Sequence, residues 1–240
     1  MRVLELWRYP VKSLQGERLG EAAIDALGIA GDRRWALFDQ DTGLGLTARR
    51  VPELLFGSAR LREDGGVEVV LPDGTVTTDG SVLSDWLGRR VELRAAAELG
   101  DAAPTYEAPT DDLAPDPAEW MQWEGAPGPF HDSPRIRVSL VSTGTLGTWD
   151  RRRFRANVLL DGEGEDELLG RGATLGEVRL QLGRGIGRCV MTTRPQAGGI
   201  ARDTSVLKTI HRERGGLLAV RGAVLTAGVV RTGDVLRPDR

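Results

Sequence analysis

Short strand-like segments separated by tight-turn signals recur through this chain, and they restrict its fold more than any other feature. Residues 2–8 alternate in polarity as a strand does. The segments Phe56–Arg62 and Val67–Leu71 flank Glu63-Asp64-Gly65-Gly66, which predicts a hairpin. Many short strands and few helices favour a mainly β fold, a β-barrel architecture with peripheral helices.

Two segments carry the start and stop signals of helices. One runs from Asp79 to Leu87, with Asp79 or Ser81 as its cap and Gly88 as its stop, and the other covers residues 203–214. Strands are expected in the second half over residues 136–142, 153–161, 176–182 and 188–194.

The strand pattern disappears between residues 95 and 134, where alanine, proline, aspartate and glutamate dominate. We therefore expect one β domain over residues 1–96, a linker over 97–134 and a second β domain over 135–240. Trp120 and Trp123 suggest that the linker packs against the domains. His131 and Asp132, adjacent in this linker, are expected to be solvated, because no third ligand lies near them in sequence.

The charge balance excludes several classes of partner. A net charge of −3 and a pI of about 5.6 argue against nucleic acid or an anionic membrane surface as a target. No apolar run approaches the roughly 20 residues that cross a bilayer. Because residues 1–8 lack the apolar segment of a signal peptide, a cytoplasmic location is expected.

Cys189 is the sole cysteine, so an intramolecular disulfide is impossible. Its sulfur is either a small buried hydrophobic group or a reactive one. The preceding residue, Arg188, would favour the thiolate, which is the form that attacks or binds metal.

Lysine is rare in this chain, since 30 of the 32 basic residues are arginine. Lys12 follows the first strand, where a loop can present its compact charge. Lys208 lies in a polar helical stretch and is expected to be solvated. Among so many arginines, adjacent pairs such as Arg49-Arg50 are expected by chance.

Polar residues at predicted strand ends form a candidate binding site. Guanidinium binds phosphate through two hydrogen bonds, lysine adds a point charge, and hydroxyl and amide groups recognise ring edges. This combination suits a phosphorylated, heteroatom-rich small molecule, and the cysteine supplies a soft ligand to a metal that such a molecule carries. The candidates are Lys12, Ser13, Arg33, Ser142, Thr143, Arg155, Asn157, Arg188 and Cys189.

Five short segments resemble known proteins. Tyr9-Pro10-Val11-Lys12-Ser13, Gly31-Asp32-Arg33-Arg34-Trp35 and Leu46-Thr47-Ala48-Arg49 resemble the N-terminal β-barrel domain of MOSC proteins. Arg153-Phe154-Arg155-Ala156-Asn157 and Gly187-Arg188-Cys189 resemble the MOSC domain itself. Their order is the one seen in the mitochondrial amidoxime-reducing component and in YcbX-like molybdoenzymes.

The resemblance implies a molybdenum cofactor, a pyranopterin dithiolene with one phosphate whose metal takes a protein cysteine as a ligand. By position, Cys189 would be that ligand, with Arg188 beside the metal and Arg33 on the phosphate or pterin. The remaining implied contacts are Lys12 and Ser13 from the first domain and Ser142, Thr143, Arg155 and Asn157 from the second. The chain departs from the family pattern at two places. Ser142-Thr143-Gly144-Thr145 lacks the expected acidic residues, and Ala156 stands where a proline is common.

The implied reaction is the reduction of N-hydroxylated compounds such as amidoximes and hydroxylamines. One cysteine cannot hold a cysteine-ligated iron–sulfur cluster, so electrons must come from a separate protein, a ferredoxin or flavoprotein.

Two other functions remain open. A non-catalytic module could carry persulfide sulfur on Cys189 or deliver the cofactor. A pyridoxal-phosphate-binding protein would need a Schiff-base lysine, for which Lys12 is the candidate. Metal analysis and an absorption spectrum distinguish these three functions.

Overall fold

The computed structural model describes residues 1–114 and 117–239. Positions 115 and 116 of the predicted linker, and residue 240 of the second predicted domain, lie outside the described residues. The strands are β1 (Val3–Arg8), β2 (Glu17–Leu19), β3 (Glu21–Asp25), β4 (Gly28–Ile29), β5 (Trp35–Asp39), β6 (Ser58–Leu61), β7 (Val67–Val70), β8 (Val76–Thr77), β9 (Val91–Ala95), β10 (Thr105–Pro109), β11 (Trp120–Glu124), β12 (Val138–Ser142), β13 (Val158–Leu160), β14 (Gly172–Leu175), β15 (Val178–Gly187), β16 (Leu217–Thr226), β17 (Gly228–Arg231) and β18 (Leu236–Pro238). The α-helices are α1 (Gly80–Leu87), α2 (Ala96–Leu99), α3 (Thr143–Leu146) and α4 (Ser205–Arg214), and 3-10 helices cover Pro52–Phe56, Arg151–Arg153, Glu165–Leu168 and Val190–Thr193.

The largest sheet joins the two ends of the chain. Its eight strands follow the order β18-β14-β15-β16-β12-β13-β1-β2, and β12 and β13 are parallel. β1 pairs antiparallel with β13, so that Leu6 lies opposite Val158. β3 pairs with β17 in a separate three-stranded sheet. The first strands of the chain are therefore built into sheets of the second half.

The remaining part of the first half has its own apolar core. The antiparallel pair β5–β9 and the sheet β6-β7-β8 pack with α1 around Leu14, Leu54 and Leu83, which are fully buried. The expected helix start and stop are confirmed: Asp79 accepts a hydrogen bond from the Ser81 backbone N–H, and Gly88 ends α1 in the left-handed conformation. The expected hairpin between β6 and β7 is confirmed as well.

Part of the predicted linker is a hairpin of two strands rather than an irregular connection. β10 pairs with β11, and Tyr106 lies opposite Trp123 with ring centroids 4.9 Å apart. The Gly45 backbone N–H donates to the Thr105 carbonyl oxygen at 2.8 Å. A Cβ on Gly45 would lie 2.4 Å from the Tyr106 ring, so only glycine allows this approach. Aromatic cross-strand packing thus orders a segment whose composition suggested a loop.

The prediction of a strand over residues 188–194 is wrong. β15 ends at Gly187, and Val190–Thr193 forms a 3-10 helix instead. The hydroxyl of Thr192 donates to the Cys189 carbonyl oxygen at 3.0 Å, and that of Thr193 donates to the Val190 carbonyl oxygen at 2.8 Å. These local bonds compete with strand pairing and turn the chain.

The strand expected over residues 153–161 is shorter than predicted. It is restricted to β13, and a 3-10 helix ends at Arg153 before it. Arg155, between the two, has a φ of 52°, which a strand does not accommodate.

The expectation of a mainly β fold with peripheral helices is confirmed. Within residues 1–114 and 117–239, every helix is too short or too polar to span a bilayer.

Replacing Gly28 with alanine is expected to destabilise the protein more than the same change at Gly233. Both glycines have positive φ values, 105° and 94°, and alanine there costs about 1–2 kcal/mol. A Cβ on Gly28 would lie 2.3 Å from the Arg137 carbonyl oxygen, whereas one on Gly233 meets no described atom within 4 Å. The collision adds about 1–3 kcal/mol. Urea unfolding measures the difference, and equal free energies of unfolding would contradict the packing of β4 on residue 137.

Candidate functional site

A cleft lies between residues from the two halves of the chain, and its empty space, counted together with the open solvent at its mouth, is about 670 Å³. The structure brings six of the nine residues singled out from the sequence to its walls. These six are Lys12, Ser13, Arg33, Arg155, Arg188 and Cys189.

Three of these residues have strained backbones. Among the described residues, the non-glycine positions with positive φ are Ser13 (69°), Arg33 (53°), Arg155 (52°) and Ala219 (71°), and the first three line the cleft. Left-handed backbone at such residues costs roughly 1–2 kcal/mol each and persists only where the surroundings fix it. Strain of this kind clusters at functional sites, so its position supports a functional cleft.

Tyr9 contacts both strained arginines, Arg33 and Arg155. Its ring lies 4.4 Å from the Arg155 guanidinium carbon and 5.2 Å from that of Arg33. Its hydroxyl donates to the Ala156 carbonyl oxygen at 3.3 Å, and its backbone N–H donates to Asp32 at 2.7 Å. Asp32 also forms an ion pair with Arg33. Cation–π contacts thus join the loop after β1 to the segment before β13.

The Arg155 side chain crosses between the halves, since it donates to the Leu14 carbonyl oxygen. Burial, reinforced by the charge of Arg33, lowers the pKa of Arg155 to about 10. The guanidinium therefore stays charged at neutral pH, and its charge is destabilised by burial until an anion approaches.

Lys12 is nearly fully buried and is held by the end of the predicted linker. Its ammonium donates to the Phe130 carbonyl oxygen at 3.0 Å, pairs with Asp132, and lies 4.7 Å from the centre of the Tyr106 ring. Burial lowers the pKa of Lys12, although Asp132 raises it. The ammonium thus fixes residues 130–132 at the cleft.

Cys189 is half-buried and free at the start of the 3-10 helix that follows β15. The next turn is fixed by Arg153, whose guanidinium donates to the carbonyl oxygens of Thr192 at 3.1 Å and Ala201 at 2.7 Å. Arg188 donates from Nε to the Leu218 carbonyl oxygen at 2.8 Å and from Nη1 to that of Phe154 at 2.9 Å. Burial lowers the pKa of Arg188 to about 10, while the nearby Cys189 sulfur raises it.

Arg49 also lines the cleft, and the sequence reasoning missed it. The nearby sulfur of Cys189 raises the pKa of Arg49 above its usual range, while burial lowers it. Arg49 ends the segment Leu46–Arg49, which carries part of the family resemblance, although a pair such as Arg49-Arg50 is expected by chance in a chain so rich in arginine. That segment was the signal that could have identified it.

His131 is buried, contrary to the expectation from its loop, whereas Asp132 is exposed as expected. His131 is 2% exposed, and both residues line the cleft. Burial, reinforced by Arg33, lowers the pKa of His131 to about 4, so the imidazole is neutral at pH 7. The Asp132 side chain is about half exposed at 53%. Partial desolvation raises its pKa, but Lys12 and Arg49 more than reverse this and lower it below the usual range.

Three predicted site residues lie outside the cleft lining. The Asn157 side chain accepts from the Ser139 hydroxyl at 2.9 Å and donates to the Trp7 carbonyl oxygen at 3.2 Å, which connects β12 to β1. Ser142 caps α3 through the Thr145 N–H, and Thr143 is exposed on a different surface groove. Direct cofactor contacts by these three residues stay predictions.

The donors of the cleft fit an anionic, heteroatom-rich cofactor. Among the described residues, buried atoms without a hydrogen-bond partner include Arg155 Nη2, Arg188 Nη2, Thr47 Oγ1 and His131 Nε2, all from residues of the cleft lining. Five cations line the cleft, namely Lys12, Arg33, Arg49, Arg155 and Arg188. Unpartnered buried donors are costly, and phosphate or pterin acceptors would satisfy them.

A metal in this cleft would depend on ligands from such a cofactor. No group of three or more histidine, cysteine, aspartate or glutamate side chains within residues 1–114 and 117–239 is arranged to hold a metal ion. Cys189 can therefore supply one soft ligand, and the rest of the coordination must come from a bound molecule.

Two family models together match most of this chain. Residues 1–96 match the MOSC N-terminal beta barrel domain, and residues 130–237 match the MOSC domain. The mitochondrial amidoxime-reducing component 1 of Homo sapiens is 26% identical over 254 residues, covering 88% of this chain and 72% of that protein. The YuaD protein from Bacillus subtilis superposes with a TM-score of 0.42 at 12% identity, covering 98% of this chain and 93% of that one. YiiM from Escherichia coli gives a TM-score of 0.36 at 14% identity, covering 57% and 69%.

The buried, neutral His131 is expected to make the cofactor-free protein less stable in acid. As pH falls from 6.5 towards 4, the unfolded chain binds a proton at this residue that the folded protein does not, so the free energy of unfolding decreases. The full effect is on the order of 3 kcal/mol. His131→Gln should remove this part of the pH dependence, whereas His211→Gln, at an exposed histidine, should retain it. Denaturant unfolding across this pH range tests the difference, and parallel profiles for His131→Gln and the unaltered protein would contradict a neutral His131.

Proposed function

The chain belongs to the proteins that combine a MOSC N-terminal beta barrel domain with a MOSC domain, and on this premise we propose that it is a molybdenum-cofactor-dependent oxidoreductase. Its proposed substrates are N-hydroxylated compounds such as amidoximes and hydroxylamines. The similarity to an amidoxime-reducing component supports this reaction.

The observation that carries the proposal is the position of Cys189. Its half-buried sulfur lies in a cleft with five cationic side chains drawn from both halves of the chain. A thiolate is a preferred ligand of transition metals such as the metal of the proposed cofactor. The cationic side chains complement the negative charges of that cofactor.

Each wall residue has a task that follows from its contacts. Arg155 and Arg188 are held by carbonyl oxygens and each has an unpartnered Nη2, so their remaining donors are available to a phosphate. Arg33 adds charge while Asp32 fixes its orientation. Lys12 adds a compact charge and holds residues 130–132 as part of the wall.

The apolar part of the lining suits the organic body of a substrate. Ile136, Phe154, Ile186 and Met191 line the same cleft as the sulfur. Apolar walls with a few polar groups are typical of small-molecule sites, because they exclude water while the polar groups set orientation. When bound, the molybdenum cofactor supplies the two-electron chemistry that cleaves an N–O bond.

The proposal requires a separate electron donor. This chain has one cysteine and so cannot by itself ligate an iron–sulfur cluster through cysteines. We propose a ferredoxin or flavoprotein as the donor and the cytoplasm as the location.

Cys189→Ala is expected to lower reduction of benzamidoxime by roughly 100-fold or more, because it removes a metal ligand. The assay uses protein from a host that makes the cofactor, with a chemical reductant in place of the donor protein. Unchanged thermal unfolding of the variant is the control for its fold. Turnover equal to that of the unaltered protein would refute ligation by this sulfur, and unaltered protein without molybdenum would favour the sulfur-handling alternative.

Lys12→Ala is expected to lower the molybdenum content per protein chain, because an anion site loses one positive charge and the support of residues 130–132. Lys208→Ala is the matched control, since this exposed lysine lies on α4, away from the cleft lining. Elemental analysis of both variants measures the occupancy. Equal molybdenum in the two variants would show that Lys12 is not needed to retain the cofactor.

A further inference from the structure

His131 is buried in the wall of the cleft, and one of its ring nitrogens has no partner. The side chain is 2% exposed, and Nε2 is a buried atom without a hydrogen bond to any described residue. The residue lines the cleft together with the cationic side chains. Because a buried polar atom without a partner costs free energy, the orphaned nitrogen points to a ligand that the cleft takes up.

Hydrogen bonds fix the backbone of His131 between two of the cationic residues. The Phe130 N–H donates to the Arg33 carbonyl oxygen at 2.7 Å, and the Phe130 carbonyl oxygen accepts from the Lys12 ammonium at 3.0 Å. The His131 N–H donates to the Pro129 carbonyl oxygen at 2.6 Å. The imidazole is therefore held at the cleft by a segment that both cationic residues anchor.

The charges around the imidazole oppose its protonation. They belong to Arg33, Lys12, Arg137, Asp32 and, next in sequence, Asp132. Asp32 pairs with Arg33, and Asp132 pairs with Lys12. Both carboxylates are thus already matched with a cation, and the Nη1 atom of Arg137 is buried without a hydrogen-bond partner. An anion in the cleft would offset the remaining positive charge and favour the imidazolium.

Resting on the proposed function for the identity of the ligand, we propose that His131 is a further binding residue of the cleft, whose imidazole takes up a proton when an anionic group of the cofactor binds and donates a hydrogen bond to that group. The proton comes from the solvent, and no electron moves. The anion supplies the partner that Nε2 lacks, and a charged donor binds it more strongly than a neutral one.

The first test follows the imidazole directly, because the chain has two histidines, His131 and His211. The NMR signals of their Cε1 protons are titrated in cofactor-free protein, in sodium sulfate and in sodium chloride at the same ionic strength. Sulfate stays a dianion over this pH range, so it represents phosphate without titrating itself.

Sulfate is expected to raise the pKa of His131 by about 1.5, a roughly 30-fold gain in proton affinity, which is the effect of two charges about 4 Å away in water. The pKa of His211, which is exposed on α4, should be the same in both salts. Identical titrations of His131 in sulfate and chloride would overturn the proposal.

The second test measures the same coupling through affinity. Because binding and protonation strengthen each other, sulfate should bind about fourfold more tightly at pH 5 than at pH 7, as calorimetry measures. His131→Gln should lose this gain, whereas His211→Gln should retain it. A gain of equal size in both variants would assign the proton to another group and overturn the role of His131.

A third measurement separates this inference from the proposed function. Protein from a host that makes the cofactor is analysed for molybdenum, and its His131 signal is titrated. Protein without molybdenum whose His131 still responds to sulfate would refute the proposed function and leave the binding role supported. Protein with full molybdenum whose His131 titrates as in cofactor-free protein in chloride would overturn the binding role and leave the proposed function supported.

Discussion

The pairing of β1 with β13 is the constraint on which the cleft depends. Because the first strand of the chain lies inside the sheet of the second half, the loop that follows it emerges beside the segment that precedes β13. Tyr9 and Arg155 meet at that point, with 4.4 Å between the ring centre and the guanidinium carbon. Asn157 strengthens the same junction by connecting β12 and β1 through its side chain. The walls of the cleft are thus parts of one hydrogen-bonded framework, and residues from both halves can keep fixed distances across it.

Contacts within that framework hold the strained backbone positions of the cleft. Ser13, Arg33 and Arg155 each hold a left-handed backbone that costs roughly 1–2 kcal/mol, and each has a partner across the cleft or in the neighbouring loop. Ser13 fixes the turn of Arg49, Arg33 donates to the Arg155 carbonyl oxygen at 3.3 Å, and Arg155 donates to that of Leu14. Glycine at these positions would relieve the strain but would remove the side chains that make the contacts. Conformational strain therefore coincides with charge at Arg33 and Arg155, and with a side-chain hydrogen bond to the backbone at Ser13.

The sequence predicted the mainly β fold and the caps of α1, because alternation, turn residues and capping residues are local. It grouped Lys12, Arg33 and Cys189 as polar residues at predicted strand ends and by resemblance, since no local pattern shows which loops meet. It missed the hairpin of Tyr106 and Trp123, whose order depends on aromatic pairing and on the close approach of Gly45. It also singled out Arg188 because this residue precedes Cys189 and missed Arg49, although both arginines line the cleft together with that cysteine.

The partners of the buried arginines explain why the cleft favours an anion. Arg155 and Arg188 make their hydrogen bonds to backbone carbonyl oxygens, and within the described part of the chain neither forms an ion pair with a carboxylate. A carbonyl oxygen satisfies a donor without cancelling its charge, so both positive charges stay uncompensated in a poorly solvated space, and burial lowers both pKa values to about 10. A carboxylate at either position would stabilise the empty protein and compete with a phosphate for the same donors. The fold thus keeps its charge available to a ligand at the expense of its own stability, which is the compromise expected of a binding site.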